Sequence, residues 1–126
     1  MTRKRGGGFT LIELLVVMAI VATLLAIAAP RYFDHVDRAR EATLRQSLSV
    51  MRDAIDKYRA DTGKWPETLD TLVEKRYLRK VPVDPLTERP DTWQLEAAPA
   101  DSGDGMWDVH SGADGTATDG TPYAEW

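Results

Sequence analysis

A single carboxylate stands at the threshold of the one long apolar run in this chain. Glu13 is followed by sixteen residues, 14–29, of which only Thr23 is polar. As a helix, residues 9–29 would measure ~31 Å, the hydrocarbon thickness of a bilayer. Such a segment is built to cross an apolar phase. An acid inside it is expensive, because hydrocarbon offers nothing to replace its hydration. Glu13 therefore demands a partner that the rest of the segment does not supply.

Three readings of this segment are open. A plain transmembrane anchor leaves Glu13 unexplained. An ordinary secretory signal would use the basic start at Arg3, Lys4 and Arg5, the apolar run, and Ala26-Ile27-Ala28 as a small-residue cleavage site. The third reading takes Gly8 as the last residue of a short basic leader, cut before Phe9. The new α-amine would have a reference pKa near ~8 and be largely cationic at neutral pH. It would lie four residues from Glu13, on the same helix face. The acid could then meet its own amine or that of a neighbouring chain, which offsets a desolvation cost that neither charge bears well alone.

The rest of the chain bounds the answer. At 126 residues there is room for one modest domain beyond the apolar run. No cysteine is present, so neither disulfides nor thiolate metal sites are available, and only His35 and His110 supply imidazole. The net charge of −4 is uneven: beyond Arg89 come eight acids and no base. A basic patch with interleaved aromatics is missing, which argues against nucleic acid as a partner.

Pro30 directly follows the apolar run and predicts a kink, since helical patterning resumes at once. Leu44, Leu48, Met51, Ile55 and Tyr58 are spaced as the buried stripe of an amphipathic helix, with Glu41–Arg45 as an i,i+4 surface pair. Gly63 and Pro66 end that helix. Residues 68–75 read as a short helix with Leu69, Leu72 and Val73 inward. Residues 81–85, with two prolines, read as extended linker. Strands are expected at 92–96 and 106–110, joined by a polar turn-rich connection. The predicted fold class is α+β: a long N-terminal helix, transmembrane below and amphipathic above, on a small head with a short helix and an antiparallel sheet. The expected divisions are residues 1–8 (leader), 9–29 (membrane and assembly helix), 30–61 (helical spine) and 62–126 (head).

The acidic, glycine-rich stretch at 111–120 is the candidate metal site. Calcium takes six to eight oxygens from a flexible loop. Asp114 and Asp119 offer charge, Ser111 a hydroxyl, and the glycines let carbonyls turn inward. A solvated loop is the alternative. Asp108, His110 and Ser111 do not make a catalytic triad, because on a strand Ser111 points away from the other two. No catalytic residue is expected, and there is no phosphate-binding loop. His35 is expected to be an exposed helix residue. Trp65, Trp93, Trp107 and Trp126 are expected to anchor core and loops.

Arg5-Gly6-Gly7-Gly8 followed by Phe9-Thr10-Leu11-Ile12-Glu13-Leu14-Leu15 resembles the leader and N-terminus of type IV pilins and pseudopilins. The stretches Tyr58-Arg59-Ala60-Asp61-Thr62-Gly63-Lys64-Trp65-Pro66 and Tyr77-Leu78-Arg79-Lys80-Val81-Pro82-Val83-Asp84-Pro85 are similar to major pseudopilins of type II secretion systems. So is Asp108-Val109-His110-Ser111-Gly112-Ala113-Asp114-Gly115. Leu86-Thr87-Glu88-Arg89 departs from the aromatic-glycine-asparagine turn usual there, and the tail is shorter. The resemblance implies cleavage after Gly8 by a prepilin peptidase, methylation of Phe9, and docking of subunits through Glu13. It also implies calcium in the loop of Ser111, Asp114 and Asp119. The implied product is a homopolymer anchored in inner-membrane lipid, leader cytoplasmic and head periplasmic. Its implied partners are minor pseudopilins and an assembly platform with its ATPase. A surface type IV pilin is the near alternative, and a soluble periplasmic calcium-binding domain the distant one.

Overall fold

The computed structural model describes residues 8–126, which fall into two units, one ending at Val36 and the other Asp37–Trp126. The helix α1 (Leu11–Thr62) contributes to both and continues through Pro30. Its start is set by Thr10. The Thr10 hydroxyl accepts from the Glu13 N–H at 3.2 Å, and its carbonyl accepts from the Leu14 N–H at 3.1 Å. Thr10 and Glu13 thus hold the N-cap and N3 positions of a T-x-x-E start signal. The helix therefore opens at Leu11, two residues later than the apolar pattern alone suggests.

In the first unit no described residue buries the large apolar side chains from Phe9 to Ile27. Every large one from Phe9 to Ile27 is exposed, from 46% at Val21 to 83% at Phe9. The helix is long and apolar enough to cross a membrane once. Thr23 donates its hydroxyl to the Ala19 carbonyl at 2.8 Å, so the run's lone polar side chain is satisfied within the helix.

In the second unit α1 buries one face: Glu41, Leu44, Leu48, Met51, Ala54 and Ile55. Fully burying a leucine or isoleucine contributes about 1.5–3 kcal/mol relative to exposure. Leu69 and Leu72 of helix α2 (Leu69–Glu74) pack on that face with Leu78, Trp93, Met106 and Val109. Thr68 caps α2, accepting from the Thr71 N–H. Gly63 stops α1 at φ +72°, its N–H returning to the Arg59 carbonyl at 2.9 Å. Tyr58, the last stripe residue, is half-buried and meets Tyr77 edge-on at 5.4 Å.

Strands β1 (Gln94–Ala97) and β2 (Met106–His110) pair antiparallel, with Leu95 opposite Val109 and Glu96 opposite Asp108. The register then skips, and Ala97 faces Met106. The extra residue on β2 is a bulge at Trp107. It lets Met106 and Val109, three apart, both turn inward, and it leaves Trp107 41% exposed instead of anchoring the core. β1 begins later than expected because Trp93 is drawn into the core, its indole N–H donating to the Pro82 carbonyl at 2.7 Å. Residues 81–85 are not simply extended. Asp84 is fully buried, accepts from the Leu86 N–H at 2.9 Å, and bridges Arg89 across a tight turn.

Glu41 is the larger correction. It is 7% exposed and does not pair with Arg45 among the described residues. Its carboxylate accepts from the Thr118 N–H at 2.7 Å, the Thr118 hydroxyl at 2.8 Å and the Tyr123 hydroxyl at 3.0 Å. Arg45 instead approaches Asp119 at 3.7 Å and lies 4.4 Å over the Trp126 ring. Burial raises the Glu41 carboxyl, but the donors from Thr118 and Tyr123 outweigh it and hold it below the usual carboxylate range. Burial, reinforced by the bond to Glu41, pushes the Tyr123 hydroxyl up to about 12, so it stays a donor.

A carboxyl depressed in the folded state stabilises above its unfolded pKa, and that stability is lost as pH falls through the folded value. The urea midpoint of the full chain in detergent should therefore decline as pH drops below about 4.3, the ordinary glutamate value. Glu41→Gln should lower the midpoint at pH 7 by the equivalent of about 1–3 kcal/mol and flatten the acid decline. An unchanged acid slope in that variant would remove Glu41 from this role.

Candidate functional site

At the start of α1, Gly8 and Phe9 lie before the first helical turn, and both are exposed. Phe9, Ile12, Glu13, Val16 and Val17 line one shallow recess of about 430 Å³. Phe9 and Glu13 thus share a surface although Phe9 precedes the helix. The Glu13 carboxylate makes no hydrogen bond or ion pair among the described residues, although its backbone N–H is capped. At the N3 position the helix dipole favours its charge by about 0.3–1 kcal/mol. Removing a carboxylate from water costs several kcal/mol, more than the dipole returns, so burial of the exposed Glu13 in an apolar phase would call for a cationic partner. The expected leader lies mostly in residues 1–7, outside the described residues.

The loop residues are placed as follows. Ser111 is buried and donates its hydroxyl to Asp84, while the Ala113 N–H donates back to the Ser111 oxygen at 3.1 Å. Asp119 is exposed and accepts from the Thr121 hydroxyl at 2.6 Å and the Thr121 N–H at 3.0 Å. The Thr121 hydroxyl, its N–H and nearby Arg45 hold the Asp119 carboxyl below the usual range. Asp114 is exposed and makes no hydrogen bond or ion pair among the described residues. A cation shared by Asp114 and Asp119 would thus meet one free carboxylate and one already bound to protein donors. Gly112 fixes the loop's root: a Cβ there would lie 1.9 Å from the Thr92 carbonyl oxygen.

Asp108 and His110 share a strand face, His110 Nε2 standing 3.6 Å from Asp108 Oδ2, while Ser111 is turned to Asp84. His35 is exposed on α1. Sequence reading misses Arg52. From α1 it donates Nε to Asp108 Oδ1 at 2.7 Å, and its terminal nitrogen to the Val109 carbonyl at 3.0 Å and the Trp126 carbonyl. No local pattern announces contacts that span more than fifty residues. Its place next to Met51 on the buried stripe was the available signal.

Comparison with known proteins bears on the N-terminus and on about two thirds of the chain. Residues 3–29 match the family described as the prokaryotic N-terminal methylation motif. The type II secretion system core protein G of Pseudomonas aeruginosa is 33% identical, the match covering 68% of this chain and 71% of the relative. The core protein G of Aeromonas hydrophila is 28% identical over the same shares. The type IV major pilin protein PilE1 of Neisseria gonorrhoeae is 34% identical over 61% of this chain but 47% of the pilin, so the chain spans about half of that relative's length. No solved structure matches. A methylation motif on an exposed apolar helix, together with a 33% identity to a core protein G that covers 68% of this chain and 71% of that relative, places the chain in the type IV pilin and pseudopilin family, to which the type II secretion core proteins G belong.

Proposed function

We propose that this chain is a structural subunit of a type II secretion pseudopilus. It is cleaved after Gly8 by a prepilin peptidase, methylated at Phe9, and polymerised through the apolar part of α1 to support protein export across the outer membrane. The observation that carries this reading is Glu13: a carboxylate in an apolar recess beside Phe9, without a partner among the described residues. In a filament, the trimmed amine of an adjacent subunit would supply the missing cation. Before assembly the subunit sits in the inner membrane with its head periplasmic. An assembly platform and its ATPase drive polymerisation, and minor pseudopilins join the same filament. A surface type IV pilin is the second reading, favoured by pilin relatives that match 48–61% of this chain. Long surface fibres of this chain in imaged cells would decide for it.

For the loop at 111–120 we propose calcium binding through Asp114 and Asp119, Thr121 releasing Asp119 as the ion enters. The free carboxylate of Asp114 and the positive-φ Gly115 and Gly120 support it. Ser111, bonded to Asp84, would brace the loop without ligating.

Mass spectrometry of the membrane-extracted chain should find a mature N-terminus at methylated Phe9; a start at Ala29 would mean ordinary signal cleavage and overturn the proposal. Glu13→Ala should be processed normally yet assemble poorly. Losing one member of a buried ion pair costs about 3–5 kcal/mol, enough to cut filament yield by more than about tenfold. Normal filaments from this variant would make the carboxylate dispensable. Asp114→Ala should lower the melting temperature by about 2–5 °C in calcium and not in chelator. Equal shifts in both conditions would refute the loop site.

A further inference from the structure

Opposite the buried face of the two-stranded sheet, three ligand-type side chains converge. Glu96 on β1 and Asp108 on β2 are a cross-strand pair, and His110 follows Asp108 on the same face. One oxygen of each acid and a ring nitrogen of His110 lie within 4.8 Å of one another. The imidazole is oriented from behind. Its Nδ1 is 3.0 Å from the Trp126 carbonyl, which can only accept, so Nδ1 carries the hydrogen there. Nε2 then faces Glu96 Oε2 at 3.0 Å and Asp108 Oδ2 at 3.6 Å.

A neutral imidazole has one N–H, and the Trp126 carbonyl has taken it. In that tautomer Nε2 presents a lone pair to two carboxylate oxygens, and either a proton or a metal ion among the three acceptors relieves them. A proton on Nε2 would serve the nearer acid, Glu96, and leave Asp108 Oδ2 at a distance beyond a hydrogen bond. A metal ion serves all three. In a tetrahedral site with ligand bonds of about 2.0–2.1 Å, neighbouring donors stand about 3.3 Å apart. The two separations from His110 Nε2 bracket that value, and the third, between the two acids, is within 4.8 Å. A hydrogen bond from imidazole Nδ1 to a carbonyl is also the outer contact that fixes Nε2 as a metal ligand.

Asp108 is prepared in the same sense. Its Oδ1 accepts from Arg52 Nε at 2.7 Å and from its neighbour's N–H, on Val109, at 2.8 Å, which leaves Oδ2 to face His110. His110 and Asp108 are about three-quarters buried and Glu96 is half-exposed, so the ion would keep a water and an entry path on the Glu96 side.

We propose that Glu96, Asp108 and His110 bind a divalent transition-metal ion of the zinc class, through His110 Nε2 and one oxygen of each acid. An imidazole with two carboxylates suits zinc better than calcium or magnesium, which favour all-oxygen shells. The ion would fasten β1 to β2 next to the bulge at Trp107, where the sheet's own pairing is interrupted.

The test uses the tag-free full-length chain in detergent, stripped of metal and then given zinc, calcium or magnesium alone. Zinc should raise the melting temperature by about 5 °C or more at saturating concentration, with no comparable rise from magnesium. Cobalt(II) should give a visible absorption band of a tetrahedral N/O site. His110→Gln and Glu96→Gln should lose both signals, while His35→Gln and Asp114→Ala keep them, which separates this site from the proposed calcium loop. Absence of both signals in the parent chain overturns the proposal, as does an equal zinc shift in His110→Gln. If His110→Gln has no cooperative melt, the cobalt band and the Glu96→Gln pair decide. Filament assembly is not involved, so this outcome is independent of the proposed pseudopilus role.

Discussion

One buried carboxylate holds the end of the head to its first helix. Hydrogen bonds to a charged group contribute about 1.5–3 kcal/mol each, and Glu41 accepts three of them. Without those donors the same group would be a buried, uncompensated charge and a net cost. The segment it holds has little structure of its own beyond a bridge between Thr116 and Pro122 and one turn of 3-10 helix at Tyr123–Glu125. Arg45 and Arg52 extend the attachment along α1 to Asp119, Trp126 and Asp108. The position of Asp119 in the loop, and the Trp126 carbonyl that orients His110, both follow from this fastening.

The same helix meets two different requirements along its length. In the second unit its apolar stripe is covered, and Leu44, Met51 and Ile55 are inaccessible to solvent. In the first unit every large apolar side chain from Phe9 to Ile27 is exposed, and the Thr23 hydroxyl is satisfied within the helix. Such a segment is content in hydrocarbon or among copies of itself, and within residues 9–29 its one ionisable side chain is Glu13. That acid, not the apolar surface, is what a plain membrane anchor leaves unexplained. The family match at residues 3–29 falls on this stretch.

Periodic features were legible in the sequence. The stripe from Leu44 to Ile55, the Gly63 stop, the cap at Thr68 and the strand at 106–110 all arise from neighbours a few positions apart. The start of α1 was legible too, in Thr10 and Glu13, but the apolar Phe9 masked it. What escaped depends on distant partners. Glu41 and Arg45 have the spacing of a surface pair, and only Thr118 and Tyr123, far along the chain, turn Glu41 inward. Trp107 looks like an anchor until the bulge is known. Asp84 gives no local hint that Ser111 will reach it. For the candidate sites, the sequence pointed to Phe9 and Glu13 together. The grouping of Glu96 with Asp108 and His110 required the strand register.

The cap at Thr10 leaves the two residues ahead of it outside the helical ladder, exposed, with open space around the Gly8 α-carbon. Proteolytic sites generally grip a substrate as an extended strand, so a scissile bond locked in a helix must first be unwound. Here the Gly8–Phe9 bond already sits on unwound chain, and hydrolysis there would spare every hydrogen bond of α1. Under the proposed maturation after Gly8, the cut would leave the helix from Leu11 onward undisturbed.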